Sequence, residues 1–233
     1  MRKIALVCIL AVAACTTTTQ APQQTSKPAP QSTAKKPSAA AVTQFNSVVA
    51  RVEPIAEREC RARTKGMNCD FQIVVDKRPN QPPNAFQTVD KNGRPILAFN
   101  LALIANVRNK DELAFVMGHE AAHHIEGHLA RAKNNAIAGA IILGGIAAIT
   151  WASSGAVQSA TDLGASVGAR SYSKDFELEA DALGTVITKR AGYNPVRGAQ
   201  FFTQIPDPGN RFLGTHPPNA QRIETVKRVN ASL

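Results

Sequence analysis

Two histidines four residues apart, with a glutamate directly after the first, constrain this chain more than any other feature. They form His119-Glu120-Ala-Ala-His123. The segment before them has the pattern of a buried helix, with Leu113, Val116, Met117, Ala121 and Ile125 at helical spacing. Asn109 can accept at its start, and Glu112 follows three residues later, as in a capping box. Four residues on a helix turn through about 400°, so His119 and His123 share a face and can bind one ion. Glu120 lies beside that face, within reach of a water on the metal. His-Glu-x-x-His therefore implies zinc with a general base.

A site that keeps one position open for water needs a third protein ligand. The candidate segment is Ser173-Lys-Asp-Phe-Glu177-Leu-Glu-Ala-Asp181. Ser173 can cap a helix whose buried stripe is Phe176, Ala180, Leu183 and Ile187. Glu177 and Asp181 then lie one turn apart on a neighbouring face. A ligand with a hydrogen-bonding partner and a solvated acidic face fit this spacing about equally, since Asp175 and Glu179 are close by. His128 lies five residues past His123, off the ligand face, and is expected to pack or hydrogen-bond. His124 is expected to face solvent.

The rest of the chain reads as mixed α and β with helix dominant. A helix is expected over residues 42–63, a strand over 71–75, and two strands over 85–89 and 96–99 joined at Asp90-Lys-Asn-Gly93. Asn92-Gly93 suits the positive φ angles of a tight hairpin. Strand 96–99 is a plausible edge for pairing with an extended substrate. Residues 136–152 are apolar and glycine-rich. Seventeen residues are short for a bilayer span, so a packed helix or a lid beside the cleft is expected.

The N-terminus has a different composition. Arg2 and Lys3 precede an apolar run from Ile4 to Val12, too short to span a membrane and typical of a signal peptide. Small residues then lead into Cys15, which resembles the lipobox of bacterial lipoproteins. That resemblance implies a signal peptide over 1–14 and a lipid on Cys15, with Thr16 favouring the outer membrane. Residues 15–42 are rich in Thr, Gln, Pro, Ser and Lys, a tether that cannot bury enough surface to order itself. A domain of residues 43–233 remains. Cys8 leaves with the signal, so Cys60 and Cys69 form an even pair in an oxidising compartment, and a disulfide is expected.

The order of motifs resembles a known family. His-Glu-x-x-His, then Glu177-x-x-x-Asp181, Gly192-Tyr-Asn-Pro195, His216-Pro217 and Arg222 are similar to the HtpX-like and CAAX-prenyl-endopeptidase-like zinc metallopeptidases. Within these, the soluble periplasmic BepA/LoiP-like lipoprotein branch is the most similar. The resemblance covers residues from about 43 to 230. It implies an α+β, helix-dominated gluzincin fold with a small β-sheet beside the active-site helix. It also implies one zinc ion per chain and endopeptidase activity. Glu177 takes the third-ligand position and Asp181 the position behind a ligand histidine. His216 and Arg222 take positions beside the substrate carbonyl. His216 follows a Pro/Gly-rich segment, so it could also close the site as a fourth ligand.

The expected activity is hydrolysis of unfolded or misfolded cell-envelope polypeptides, on the periplasmic side of the outer membrane. The chain would be held there by its lipid, with outer-membrane assembly machinery as a possible partner. The alternative is an outer-membrane protein assembly factor or holdase with secondary proteolysis, against which an intact Glu120 argues. The formal charge is +10. Half of it precedes residue 43, and no interleaving of aromatic and basic residues accompanies the rest, so no nucleic-acid partner is expected.

Overall fold

A computed structural model describes residues 36–150, 152–171, 173–209 and 216–233. The expected signal peptide, Cys15 and the part of the expected tether up to residue 35 lie outside the described residues. So does 210–215, the part of the Pro/Gly-rich segment just before His216.

The first helix, α1 (Ala39–Arg63), begins three residues earlier than the sequence pattern suggests. Ser38 caps it by accepting from the Ala41 N–H, and three alanines follow, the best helix formers. Phe45, Val48, Val52 and Ala56 form its buried stripe. Pro54 is tolerated inside the helix because it faces solvent, where water can satisfy the carbonyl it frees. Cys60 at its last turn is bonded to Cys69, with the Cα atoms 5.7 Å apart.

Three strands follow: β1 (Gln72–Asp76), β2 (Ala85–Val89) and β3 (Pro95–Asn100). Their order is β1-β3-β2, with β1 parallel and β2 antiparallel to β3. The expectation that 96–99 forms an edge is therefore wrong. β3 is central, and β2 is a free edge. The β2–β3 connection also differs from a two-residue turn. Only Gly93 is left-handed, at φ 79°, and Asp90 Oδ1 accepts from the N–H groups of Asn92 and Arg94. Asn100 then joins sheet to helix. Its side-chain oxygen accepts from Asn84 N and from Leu103 N, capping α2 (Leu101–Asn106).

The central helix is α3 (Lys110–Ile125), buried along nearly its whole length. Asn109 caps it as expected, accepting from Glu112 N at 3.0 Å. Glu112 reaches back one residue further than a capping box requires, to Arg108 N. Leu97 and Phe99 of the sheet share a core with Leu113 and Met117 of α3. On another side α3 crosses α6 (Ser173–Arg190). A side-chain carbon at Gly118 would come within 2.9 Å of the Gly184 carbonyl, and one at Gly184 within 2.9 Å of His119 N. Only a glycine pair allows this approach. It brings the His119 turn onto the turn that carries Glu177 and Asp181.

Three further pieces close the site from below: α7 (Pro195–Gly198), a 3-10 turn over Ala199–Gln204, and α8 (Asn219–Ala231). They pack through Phe115, Ala199, Phe202 and Val226. Between α3 and α6 the chain makes a helical hairpin of α4 (His128–Ile149) and α5 (Ser154–Ser171). Gly127, left-handed at φ 67°, turns the chain from α3 into α4. Residues 136–149, expected to be a packed helix or a lid too short for a bilayer span, belong instead to a 22-residue helix whose length and composition would allow one. It packs chiefly on α5, and much of its outer surface is open to solvent. The fold is α+β and helix-dominated, with a small sheet beside the metal-motif helix, as the sequence implies.

Candidate metal centre

His119 and His123 stand one turn apart on α3, and their Nε2 atoms are 3.0 Å from each other. Glu177 on α6 faces both. Its Oε2 is 3.5 Å from His119 Nε2 and its Oε1 is 3.3 Å from His123 Nε2. Ligand atoms about 2.0–2.1 Å from a tetrahedral metal are roughly 3.3 Å apart. The three observed separations bracket that value, so these residues could hold one small ion. Formal charge agrees. Glu120, Glu177 and Asp181 face the single guanidinium of Arg222, leaving two negative charges for a divalent cation to balance.

The supporting contacts give both imidazoles the same tautomer. Asp181 is fully buried, and its Oδ1 lies 3.0 Å from His119 Nδ1. A proton on Nδ1 donated to this carboxylate leaves the Nε2 lone pair for a metal. Arg222 grips Asp181 with two parallel hydrogen bonds of 2.7 Å, from Nε and Nη2. Arg222 also reaches Glu177 Oε2 at 3.1 Å and lies over the Phe202 ring. On the other histidine, His123 Nδ1 is 2.8 Å from His128 Nδ1, and His128 Nε2 is 3.0 Å from Glu179 Oε2. The consistent assignment is His123 Nδ1–H donating to His128, and His128 Nε2–H donating to Glu179. His123 Nε2 is then also free to bind.

The protonation tendencies follow from these contacts. Burial works against an imidazolium at His119, but hydrogen bonds to Asp181 and Glu177 outweigh it and raise its pKa to about 10. Burial likewise opposes ionisation of Glu177, but bonds from His119, His123 and His216 hold its carboxyl well below the usual range. Without a cation the cluster keeps a proton that a metal would displace. Burial, above all, pushes His128 down to about 4, in keeping with a neutral ring stacked on Phe176.

His128 is thus a hydrogen-bonding residue, as its spacing suggests. Glu179 is not a bystander, because it pairs with both His128 and Arg131. His124 corrects an expectation. It is buried, its Nε2 is 2.8 Å from the Asn68 carbonyl, and it meets Phe71 edge-on. The covering loop is the one that the Cys60–Cys69 bond folds back over α3, a long-range contact that helical spacing does not reveal. His216 is half exposed, with Nδ1 3.1 Å from Glu177 Oε2. A cleft of about 430 Å³ opens above the cluster. Glu120 lines it beside the two histidines, with Ala85, Phe86 and Gln87 of the β2 edge, and Pro83 and Asn84 just before it, also in the lining together with Phe115, Phe202 and Arg222.

A helix presenting His-Glu-x-x-His to a glutamate on a second helix, under a cleft walled by a free strand edge, defines a metallopeptidase. Residues 43–230 match Peptidase family M48, and the chain belongs to that family. Among its relatives are proteins named beta-barrel assembly-enhancing protease. The protein of that name from Yersinia pestis is 30% identical over 166 residues, which cover 65% of this chain and 33% of the relative. The one from Escherichia coli K12 is 28% identical over 165 residues, again 65% and 33%. The mitochondrial metalloendopeptidase OMA1 of Saccharomyces cerevisiae is 29% identical over 173 residues, or 70% of this chain and 47% of the relative. The matched region spans about a third of the bacterial relatives and about half of the yeast one.

Proposed function

We propose that this chain is a zinc-dependent endopeptidase acting on unfolded or misfolded polypeptides of the bacterial cell envelope. The observation that carries the reading is the convergence of His119, His123 and Glu177 on one point, with Glu120 beside them at the cleft floor. Two imidazoles, one carboxylate and an open fourth position suit zinc. A zinc ion held there supplies Lewis acidity to the scissile carbonyl and to a water.

The chain's residues do the rest. Glu120 takes the proton from the attacking water and later hands it to the leaving amine. Arg222 is held against Asp181 and Glu177, beside the position where negative charge develops on the carbonyl oxygen. His216 stands at the rim on Glu177, where it can donate to the same oxygen. The β2 edge offers unpaired backbone groups to an extended chain. Recognition through backbone is tolerant of sequence and suits unfolded substrates.

The organisation that goes with this reading is a signal peptide over 1–14, a lipid on Cys15, a tether to residue 42 and a catalytic domain over 43–233. The chain then works on the periplasmic side of the outer membrane. The name of the bacterial relatives supports a partner or substrate in outer-membrane protein assembly. The test is cleavage of unfolded casein by the purified chain. Activity should vanish with a chelator and return with stoichiometric zinc. Activity that survives full metal removal overturns the reading.

A further inference from the structure

The α4–α5 hairpin has two unlike sides. Its inner seam is built from glycine. A side-chain carbon at Gly139 would fall 2.0 Å from the Gly164 carbonyl, one at Gly168 would fall 2.0 Å from the Asn135 carbonyl, and Gly144 meets Thr161. The two backbones touch, so the hairpin holds its shape without using its larger side chains. Those side chains point outward along α4. Ile137, Ile141, Ile142, Ile146 and Ile149 recur at helical spacing and are 48–77% exposed. An apolar stripe of this length is unusual on a surface that faces only water.

Residues 134–161 contain no charged residue. α4 is long and apolar enough to cross a membrane, and only 6% of its most apolar window is buried. Immersion on all sides does not fit, because α5 carries exposed Gln158, Ser159 and Asp162, with Gln158 bonded to Asp162. The hairpin is therefore one-sided, with an isoleucine face on α4 and a mostly polar outer face on α5, where Leu163 is the one exposed large apolar side chain among the described residues. Lys133 is exposed at the start of the stripe, Arg131 beside it is already paired with Glu179, and α4 has no acidic residue. That charge pattern matches an anionic headgroup layer. Resting on the lipoprotein reading above, Cys15 would be held by lipid 23 residues before Ser38. At about 5–6 Å times the square root of that number, the domain stays within roughly 30 Å of a bilayer.

We propose that α4 lies flat on the lipid bilayer, its isoleucine face in the boundary between headgroups and acyl chains and α5 turned to water. Since α4 begins with His128 and Leu129, which line the cleft, this contact sets the active site at the membrane surface. Chains emerging at or leaving the membrane become favoured substrates over chains free in solution.

Trp151, the single tryptophan of the chain, lies in sequence between α4 and α5 and serves as the probe. The experiment uses the full chain carrying Cys15→Ser, so that no lipid anchor contributes, mixed with vesicles of phosphatidylglycerol and phosphatidylethanolamine. The expected result is a blue shift of tryptophan emission, quenching by brominated lipid, and co-flotation with the vesicles. The double variant Ile141→Asp/Ile146→Asp should lower partitioning about tenfold or more while keeping its circular dichroism and its casein cleavage. Unchanged emission with no flotation overturns the proposal. So does equal partitioning of the double variant. A concentration-dependent blue shift without vesicles, accompanied by dimers in sedimentation, assigns the face to a second copy and also overturns it. The lipoprotein reading is judged separately, from the mass of the mature wild-type N-terminus.

Discussion

Asp181 and His119 are joined by a 3.0 Å contact between a fully buried carboxylate and the imidazole nitrogen that points away from the metal position. That contact decides which nitrogen of His119 is free to bind. It lies on α6, one turn after Glu177, so a single helix supplies both a metal-facing carboxylate and the group that orients its neighbour.

Asp181→Asn should weaken zinc binding by about 10–100-fold, as expected when an orienting carboxylate is lost. It also leaves Arg222 buried without its bidentate partner, so thermal stability should fall as well. Zinc competition with a chromophoric chelator and a melting curve check both. Wild-type zinc affinity in the variant would remove the role given to Asp181.

Glu177→Ala should lose zinc on dialysis, whereas Glu179→Ala should retain it more weakly than wild type. The first removes a carboxylate facing both histidines. The second removes only the acceptor behind His128. Equal zinc content in the two variants would contradict the ligand assignment.

Gly184→Ala should destabilise the domain by about 1–3 kcal/mol, because its added carbon meets the backbone of His119 at 2.9–3.0 Å. Gly145→Ala places its carbon in open space and should be neutral or slightly stabilising. Denaturant melts distinguish the two. Equal effects would mean that the close crossing of α3 and α6 is not what holds the site together.

Much of this site was legible because its signals are local. His119, Glu120 and His123 lie within one helical turn and a half, and Asn109 announces where that helix begins. Cys60 and Cys69 needed only the compartment implied by the N-terminus. What was not legible depends on which elements meet. β1 takes one side of β3 and β2 the other, so the edges are 72–76 and 85–89 rather than 96–99. His124 is buried by the disulfide loop, and α4 exposes its isoleucines because its glycines already satisfy its packing against α5. Neither follows from the period of the pattern.

His216→Ala should reduce turnover of an unfolded protein by about tenfold or more if the imidazole donates to the developing oxyanion. A small peptide substrate should show the same loss. Unchanged rates would remove His216 from the reaction, and a rise in rate would assign it to closing the site instead.

The central claim is that Glu120 moves the proton while the other three residues hold the metal. Glu120→Gln keeps the shape and removes the base. Casein cleavage and bound zinc should be measured on the same preparation of this variant. The account predicts one zinc per chain, as in the wild type, and cleavage reduced by about a hundredfold or more. A variant that loses its zinc, or one that cleaves casein at the wild-type rate, would contradict it.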